Sequence, residues 1–175
     1  MSWNSFSGRK RSQEDLNFWL SEWSSTADKI FCLTSSERKC SCEGAILLVN
    51  QKIPILENVG NYDVEISIDE KKIAYLFSTS NQPWELYSST NSLTKDFIKL
   101  TNSQTKEFST YNWKKPEIVK IKGQDNVDLF ARLYEPNYEV SNGAGVIFVH
   151  GAGYLQNAHN FWSGYYREYM FHNLL

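Results

Sequence analysis

The sequence has few of the features that would assign it to a class at once. It holds three cysteines, and an odd number excludes a complete set of disulfide bonds. Cys40 and Cys42 are separated by one residue, which is closer than the usual spacing of zinc ligands, and no histidine lies near them. The sequence therefore predicts free or structural thiols, with no metal site and no other cofactor.

Export and membrane signals are also missing. Residues 1–20 contain polar and charged side chains and no apolar core of a signal peptide. No window approaches the run of about 20 apolar residues that a membrane span needs. The net charge is −2, and the basic cluster at 9–11 is local, so we expect no nucleic-acid surface.

What the sequence does contain is a series of short apolar runs between turn-rich stretches. Aromatic residues make up 15% of the chain, and they favour β-structure because they fit a pleated, half-buried surface. Short strands at a spacing of about 8–12 residues are typical of an all-β fold. Seven such runs lie before residue 112, at 29–33, 45–49, 53–56, 62–66, 73–77, 84–87 and 97–100.

These runs form a repeat. Ile30 and Ile73 occupy the same position in two similar segments that are 43 residues apart (73 − 30). Later runs correspond in the same way, 46–49 with 85–88 and 55–56 with 99–100. A period of about 40–45 residues with several strands per unit is typical of β-propeller blades, of which a closed ring needs at least about four. A β-sandwich with a coincidental spacing is the alternative.

The second unit carries a specific turn prediction. Residues 67–72 have the form S-x-D-x-x-K between two predicted strands. Asp69 is placed to accept hydrogen bonds from the backbone of its own turn, as aspartate does in tight turns.

The pattern changes after residue 112. Polar residues and Pro116 mark a junction, and alternating residues at 117–122 and 127–134 flank a turn, which predicts an antiparallel hairpin. The apolar run 146–149 predicts a strand buried on both faces, and it ends in the glycine turn H-G-A-G. Beyond it, apolar residues approximate a helical face at positions 162, 165, 166, 169, 170 and 174.

Taken together, these segments resemble the prolyl oligopeptidase clan of serine peptidases, and most closely its dipeptidyl peptidase IV branch. The resemblance covers essentially the whole chain, and V-I-F-V-H-G-A-G-Y-L-Q-N is its most specific segment. The other segments that carry it are I-S-I-D-E-K-K-I-A-Y-L-F-S (66–78), E-L-Y (85–87), K-L-T (99–101), W-K-K-P-E-I-V-K-I (113–121), A-R-L-Y-E-P (131–136) and Y-Y-R-E-Y-M-F-H-N-L-L (165–175).

The resemblance implies a fold that is mostly β with an α/β part. Residues 1–112 would be the last blades of a β-propeller, and residues 113–175 the first strands and helix of an α/β-hydrolase peptidase domain. The full-length parent would remove dipeptides from peptide N-termini through an acyl-enzyme, with a Ser-His-Asp triad. Its partner would be the peptide substrate, and a homodimer of the parent is compatible with the resemblance. Members of the family are often exported or membrane-anchored, and the compartment of this chain stays open.

No residue of that triad is assigned here. The chain has no G-x-S-x-G, so we expect the nucleophile, acid and base beyond residue 175 and an inactive chain. The helical pattern also reaches Leu175 without a capping signal, which favours a piece of a longer polypeptide. His159 and His172 are expected on the surface or in packing, because the triad base follows the nucleophile in chain order.

The remaining candidate site is the oxyanion loop, formed by His150, Gly151, Ala152, Gly153 and Tyr154. In the dipeptidyl peptidase branch a tyrosine ends this strand and stabilises the oxyanion with its hydroxyl, whereas this chain has His150. The histidine ring, the loop amides or the Tyr154 hydroxyl could each serve as donor. Two other functions stay open: a propeller-type protein-interaction module without enzymatic activity, and a smaller hydrolase that uses Ser163 or a cysteine.

Overall fold

The fold is described from a computed structural model of the chain. The structure describes residues 17–25, 30–36, 41–48, 51–91, 96–136, 141–151 and 157–165. Within them it is mostly β, with antiparallel sheets and a single turn of 3-10 helix at Phe108–Thr110. The prediction of a mostly β chain is therefore confirmed at this level.

Two four-stranded sheets come first along the chain. The first sheet has the order β1-β2-β3-β4 and the second has the order β5-β6-β7-β8, with every neighbouring pair antiparallel. A separate hairpin, β9-β10, follows. The strands are β1 (Asn17–Trp23), β2 (Ile30–Ser36), β3 (Ser41–Leu48), β4 (Gln51–Leu56), β5 (Asn61–Ile66), β6 (Lys72–Thr79), β7 (Gln82–Thr90), β8 (Ile98–Lys99), β9 (Glu117–Lys122) and β10 (Asp128–Leu133).

The two sheets have the repeat that the sequence predicted. Ile30 begins β2 and Ile73 lies at the start of β6, so each belongs to the second strand of its sheet. All seven predicted runs overlap strands β2 to β8. Sequence reasoning missed β1, which pairs with β2 through an irregularity between Trp19 and Ser21. Its apolar run, Phe18-Trp19-Leu20, is only three residues long and is followed by polar and acidic side chains.

The core lies between the sheets. Its buried residues come from β2 and β4 of the first sheet and from β5 and β6 of the second, so the sheets pack against each other. Burial of this apolar area is the main favourable contribution to folding. The buried members, each at most 8% exposed, are Phe31, Ile55, Leu56, Tyr62, Ile73 and Tyr75.

Aromatic rings extend this core along the second sheet. Tyr75 and Tyr87 are partners in the β6–β7 register, and their rings stack with centroids 5.4 Å apart. Such cross-strand aromatic pairs stabilise a sheet beyond the area they bury. Burial raises the pKa of Tyr75 to about 12, and the neighbouring Tyr87 acts in the same direction.

The predicted turn between β5 and β6 is confirmed. The Ser67 hydroxyl donates to Asp69 Oδ1 at 2.7 Å, and the Lys71 amide donates to the same oxygen at 3.2 Å. Glu70 has a φ of 58°, the left-handed backbone that closes the turn. The hydrogen bonds from Ser67 and Lys71 hold the pKa of the Asp69 carboxyl below its usual value.

The predicted hairpin at β9 and β10 is confirmed as well. The Gly123 amide donates to the Val127 carbonyl, and the Asn126 amide donates to the Gly123 carbonyl, each at 3.0 Å. Asn126 has a φ of 61°, which asparagine tolerates better than most residues. Lys122 Nζ lies 2.5 Å from Asp128 Oδ1 across the two strands.

The predicted buried strand at 146–149 is wrong in this structure. Residues 141–151 form no strand, and the side chains of Val146, Ile147 and Val149 are 76%, 89% and 82% exposed. A strand forms by pairing its backbone with a neighbouring strand, and this run belongs to none of the sheets formed by the described residues. The predicted helix is not present at 161–165, and the rest of it lies outside the described residues.

Candidate functional site

The described part of the predicted oxyanion loop consists of His150 and Gly151. His150 is partly exposed, and its Nδ1 lies 2.7 Å from the carbonyl oxygen of Gly151. Gly151 is exposed, and no atom would lie within 4 Å of a Cβ added there. Ala152, Gly153 and Tyr154 lie outside the described residues.

The contact to Gly151 limits what the His150 ring can do. A carbonyl oxygen only accepts, so Nδ1 must carry the proton of this hydrogen bond. In the neutral ring Nε2 is then an acceptor, and it becomes a donor only when the ring is the imidazolium. In this arrangement a neutral His150 offers no ring N–H to an oxyanion, so the loop amides and the Tyr154 hydroxyl are the candidate donors that remain.

Two other residues weighed from sequence, His159 and Ser163, are buried. His159 is 2% exposed and stacks on Phe161 with ring centroids 3.6 Å apart, while its Nε2 lies 3.5 Å from Arg132 Nη1 on β10. Ser163 is 5% exposed, and its hydroxyl oxygen accepts a hydrogen bond from the Tyr165 amide at 3.1 Å. A buried hydroxyl held in this way is poorly placed to attack a substrate. His172 lies outside the described residues.

An aromatic cluster that sequence reasoning missed joins residues 157–165 to the second sheet. The Trp162 ring meets Phe108 and Trp113 edge-on, with centroids 5.5 and 5.3 Å apart. The Trp162 amide donates to the Ser78 hydroxyl on β6 at 3.3 Å. Trp113 Nε1 donates to the Phe108 carbonyl at 3.0 Å. The linker between β8 and β9 is therefore packed against Trp162, which is hydrogen-bonded in turn to β6.

A buried carboxylate was also missed. Glu85 on β7 is 3% exposed, and it accepts hydrogen bonds from Thr101 and Ser103, which follow β8. The segments E-L-Y and K-L-T were visible in the sequence, but their spacing gave no reason to bring Glu85 and Thr101 together. The β7–β8 register creates that proximity, because it sets Lys99 opposite Tyr87.

Among the residues that the structure describes, no group of three or more histidine, cysteine, aspartate or glutamate side chains is placed to hold a metal ion. Nor does any helix in this part of the chain have the length and apolar character to span a bilayer.

The comparisons with known proteins assign no family to the chain. No protein-family model matches the chain, and no curated protein matches it.

Proposed function

We propose that the chain is the part of a dipeptidyl-peptidase-like serine hydrolase in which a β-propeller leads into an α/β-hydrolase domain. The single observation that carries the proposal is the arrangement of β1 to β8. Two consecutive units, each an antiparallel sheet of four sequential strands, pack against each other and then run into a hairpin. Sequential four-stranded sheets repeated along a chain are the unit of propeller architecture.

The strand order also weighs against the β-sandwich alternative. Immunoglobulin-like sandwiches use Greek-key connections, in which the chain crosses from one sheet to the other several times. Here four strands complete the first sheet before the fifth begins the second. The single connection between the sheets runs from β4 to β5.

The exposed run at 146–149 fits the same proposal. A strand of a parallel sheet is apolar on both faces and forms only between parallel neighbours. In the proposed protein those neighbours belong to the hydrolase domain and come from other residues than the ones described. The run would become a strand when they are present, and His150 would then stand at its carboxyl end.

In the proposed reaction the substrate is a peptide, and this chain contributes donors rather than the nucleophile. Attack on the scissile carbonyl places negative charge on its oxygen, and preorganised N–H groups near that oxygen lower the barrier. The amides of the loop at 150–154 would supply them. The nucleophile, acid and base would come from other residues, since the chain has no G-x-S-x-G.

The experiment that tests this proposal is the coding sequence after residue 175, read together with probe labelling of the purified chain. We expect a G-x-S-x-G motif within about a hundred residues, as the chain order of α/β-hydrolases requires. We also expect no labelling of the 175-residue chain by a fluorophosphonate. Labelling of any serine, Ser163 included, would contradict the proposal and favour a smaller hydrolase.

A protein-interaction module is the second candidate, and the regularity of the two sheets favours it. β-Propellers without enzymatic activity bind protein partners on surfaces built from repeated four-stranded sheets. The same coding sequence separates the two candidates. Further blade repeats with no nucleophile motif would support the module, whereas a G-x-S-x-G motif would support the peptidase.

A further inference from the structure

The last strand of the second sheet is attached by very little backbone pairing. β8 consists of Ile98 and Lys99, which pair with Ser88 and Tyr87 of β7. The Leu100 amide adds one hydrogen bond, at 2.8 Å, to the Leu86 carbonyl. Ile98 and Leu100 are 57% and 53% exposed, so burial of their side chains contributes little. Something else must hold this short strand in place.

The additional attachment is a set of hydrogen bonds to one buried carboxylate. Thr101 Oγ1 donates to Glu85 Oε2 at 2.5 Å, and the Ser103 amide and hydroxyl donate to Oε1 at 2.9 and 3.0 Å. The Leu86 amide donates in turn to Thr101 Oγ1 at 2.9 Å. Hydrogen bonds to a charged group are stronger than those between neutral groups, because the charge strengthens them.

We infer that Glu85 is an acid-sensitive clasp, which fastens residues 98–103 to β7 while its carboxylate is charged and releases them when it is protonated. The inference concerns the second sheet alone and does not depend on the peptidase proposal. Residues 98–103 lead into the linker that carries Phe108 and Trp113. Opening of the clasp therefore loosens the connection between the second sheet and the hairpin.

The charges around Glu85 determine the direction of the pH dependence. Lys99 on β8 faces it, with Nζ 3.6 Å from Oε1, and on β6 the residue opposite Glu85 is the uncharged Phe77. Burial would raise the pKa of Glu85, but the hydrogen bonds from Thr101 and Ser103, with the charge of Lys99, outweigh it and hold the pKa below its usual value. A carboxyl group with a lowered pKa stabilises the fold above its ordinary pKa. That contribution is lost as the pH falls through the folded-state pKa, which lies below the ordinary value.

The test is hydrogen–deuterium exchange of the full chain, with Glu85→Gln as a neutral mimic of the protonated acid. At pH 7 we expect peptides that cover 97–104 to exchange about tenfold faster than in the wild type, the loss of about one charged hydrogen bond. Peptides from β5 and β6 should keep their wild-type rates. The matched control is Glu65→Gln, an exposed glutamate on β5 of the same sheet, which should leave residues 97–104 unchanged.

Two further measurements keep the inference falsifiable. The wild-type chain, followed to pH values below the ordinary glutamate pKa and corrected for the intrinsic exchange rate, should show the same faster exchange at 97–104 once the pH has fallen through the folded-state pKa of Glu85. Thr101→Val removes one donor while keeping the side-chain shape, and it should give the effect at pH 7 even if Glu85→Gln does not fold. The clasp is excluded if Thr101→Val leaves these peptides unchanged. It is also excluded if faster exchange spreads evenly over 61–104, because Glu85 would then support the whole sheet.

Discussion

Strand β6 of the second sheet and the run at 146–149 are both rich in apolar residues, but only β6 forms a strand. β6 alternates between buried and exposed side chains, with Ile73 2% and Tyr75 4% exposed. The run at 146–149 is continuously apolar, yet Ile147 is 89% exposed and no strand forms. Hydrophobicity and β-propensity therefore do not account for the difference between the two segments.

The difference lies in the neighbouring strands and covering side chains that each segment has in the described part of the chain. β6 lies between β5 and β7 and is covered by Phe31, Ile55 and Leu56 from the first sheet. Its backbone groups are paired and its apolar face is removed from water, and a stable strand needs both. The run at 146–149 belongs to none of the sheets formed by the described residues, and Val146, Ile147 and Val149 are largely exposed. An apolar run thus predicts a strand only where its partners are also present.

The largest effect expected from this comparison is on a core residue. Ile73→Ala should lower the free energy of unfolding by about 2–5 kcal/mol, because it removes buried methyl groups and leaves a cavity between the two sheets. Urea unfolding followed by tryptophan fluorescence measures this loss. The matched variant is Ile147→Ala, which makes the same chemical change at an exposed position and should stay within about 0.5 kcal/mol of the wild type.

An equal loss in the two variants would contradict the comparison. It would mean that the run at 146–149 is packed in solution and that its partners are already present in the chain. A small effect in both would mean instead that the two sheets do not share a tight core.

The sequence predicted the repeat unit well because its signals are local. Apolar runs, turn residues and their spacing locate β2 to β8, and the S-x-D-x-x-K pattern of 67–72 specifies a turn whose hydrogen bonds join near neighbours. The sequence did not predict β1, because its apolar run is short. Its pairing with β2, which is interrupted between Trp19 and Ser21, depends on tertiary structure. The same holds for the packing of the two sheets against each other.

The candidate site was less predictable for the same reason. The link between Glu85 and Ser103 spans 18 residues, and the link between Trp162 and Ser78 spans 84, so both depend on tertiary structure. The sequence predicted His150 at the end of a strand that residues 146–149 do not form, and the hydrogen bond from its Nδ1 to Gly151 depends on the turn that the backbone makes there. Local patterns cannot specify which ring nitrogen carries the proton.

A smaller effect distinguishes close packing from open space at glycine positions. Gly60 lies just before β5, and a Cβ there would overlap the ring of Phe77 and the carbonyl oxygen of Ser78. Gly60→Ala should therefore cost about 1–3 kcal/mol, as overpacking does. Gly145→Ala is the matched control, because no atom lies within 4 Å of its added Cβ. It should be neutral or slightly stabilising in thermal unfolding, and a loss as large as that of Gly60→Ala would show that residues 141–151 are packed.

The smallest effect concerns the turn between β5 and β6. The hydrogen bonds from Ser67 and Lys71 lower the pKa of Asp69, so its contribution to stability is present above the ordinary pKa and is lost as the pH falls through the lower folded-state value, below about pH 4. Asp69→Ala should unfold at a lower temperature than the wild type at pH 7, and the difference should shrink as the pH falls through the lowered folded-state pKa of Asp69. Asp69→Asn keeps an oxygen that can accept from the Lys71 amide, and it should lie between them at pH 7. The Asp69 side chain is 60% exposed, so salt screens its charge. The part of the difference in melting temperature that comes from charge should therefore shrink in high salt. The part that comes from the turn hydrogen bonds should persist. An Asp69→Ala variant that melts like the wild type at pH 7 would show that the backbone of 67–72 forms the turn without its carboxylate.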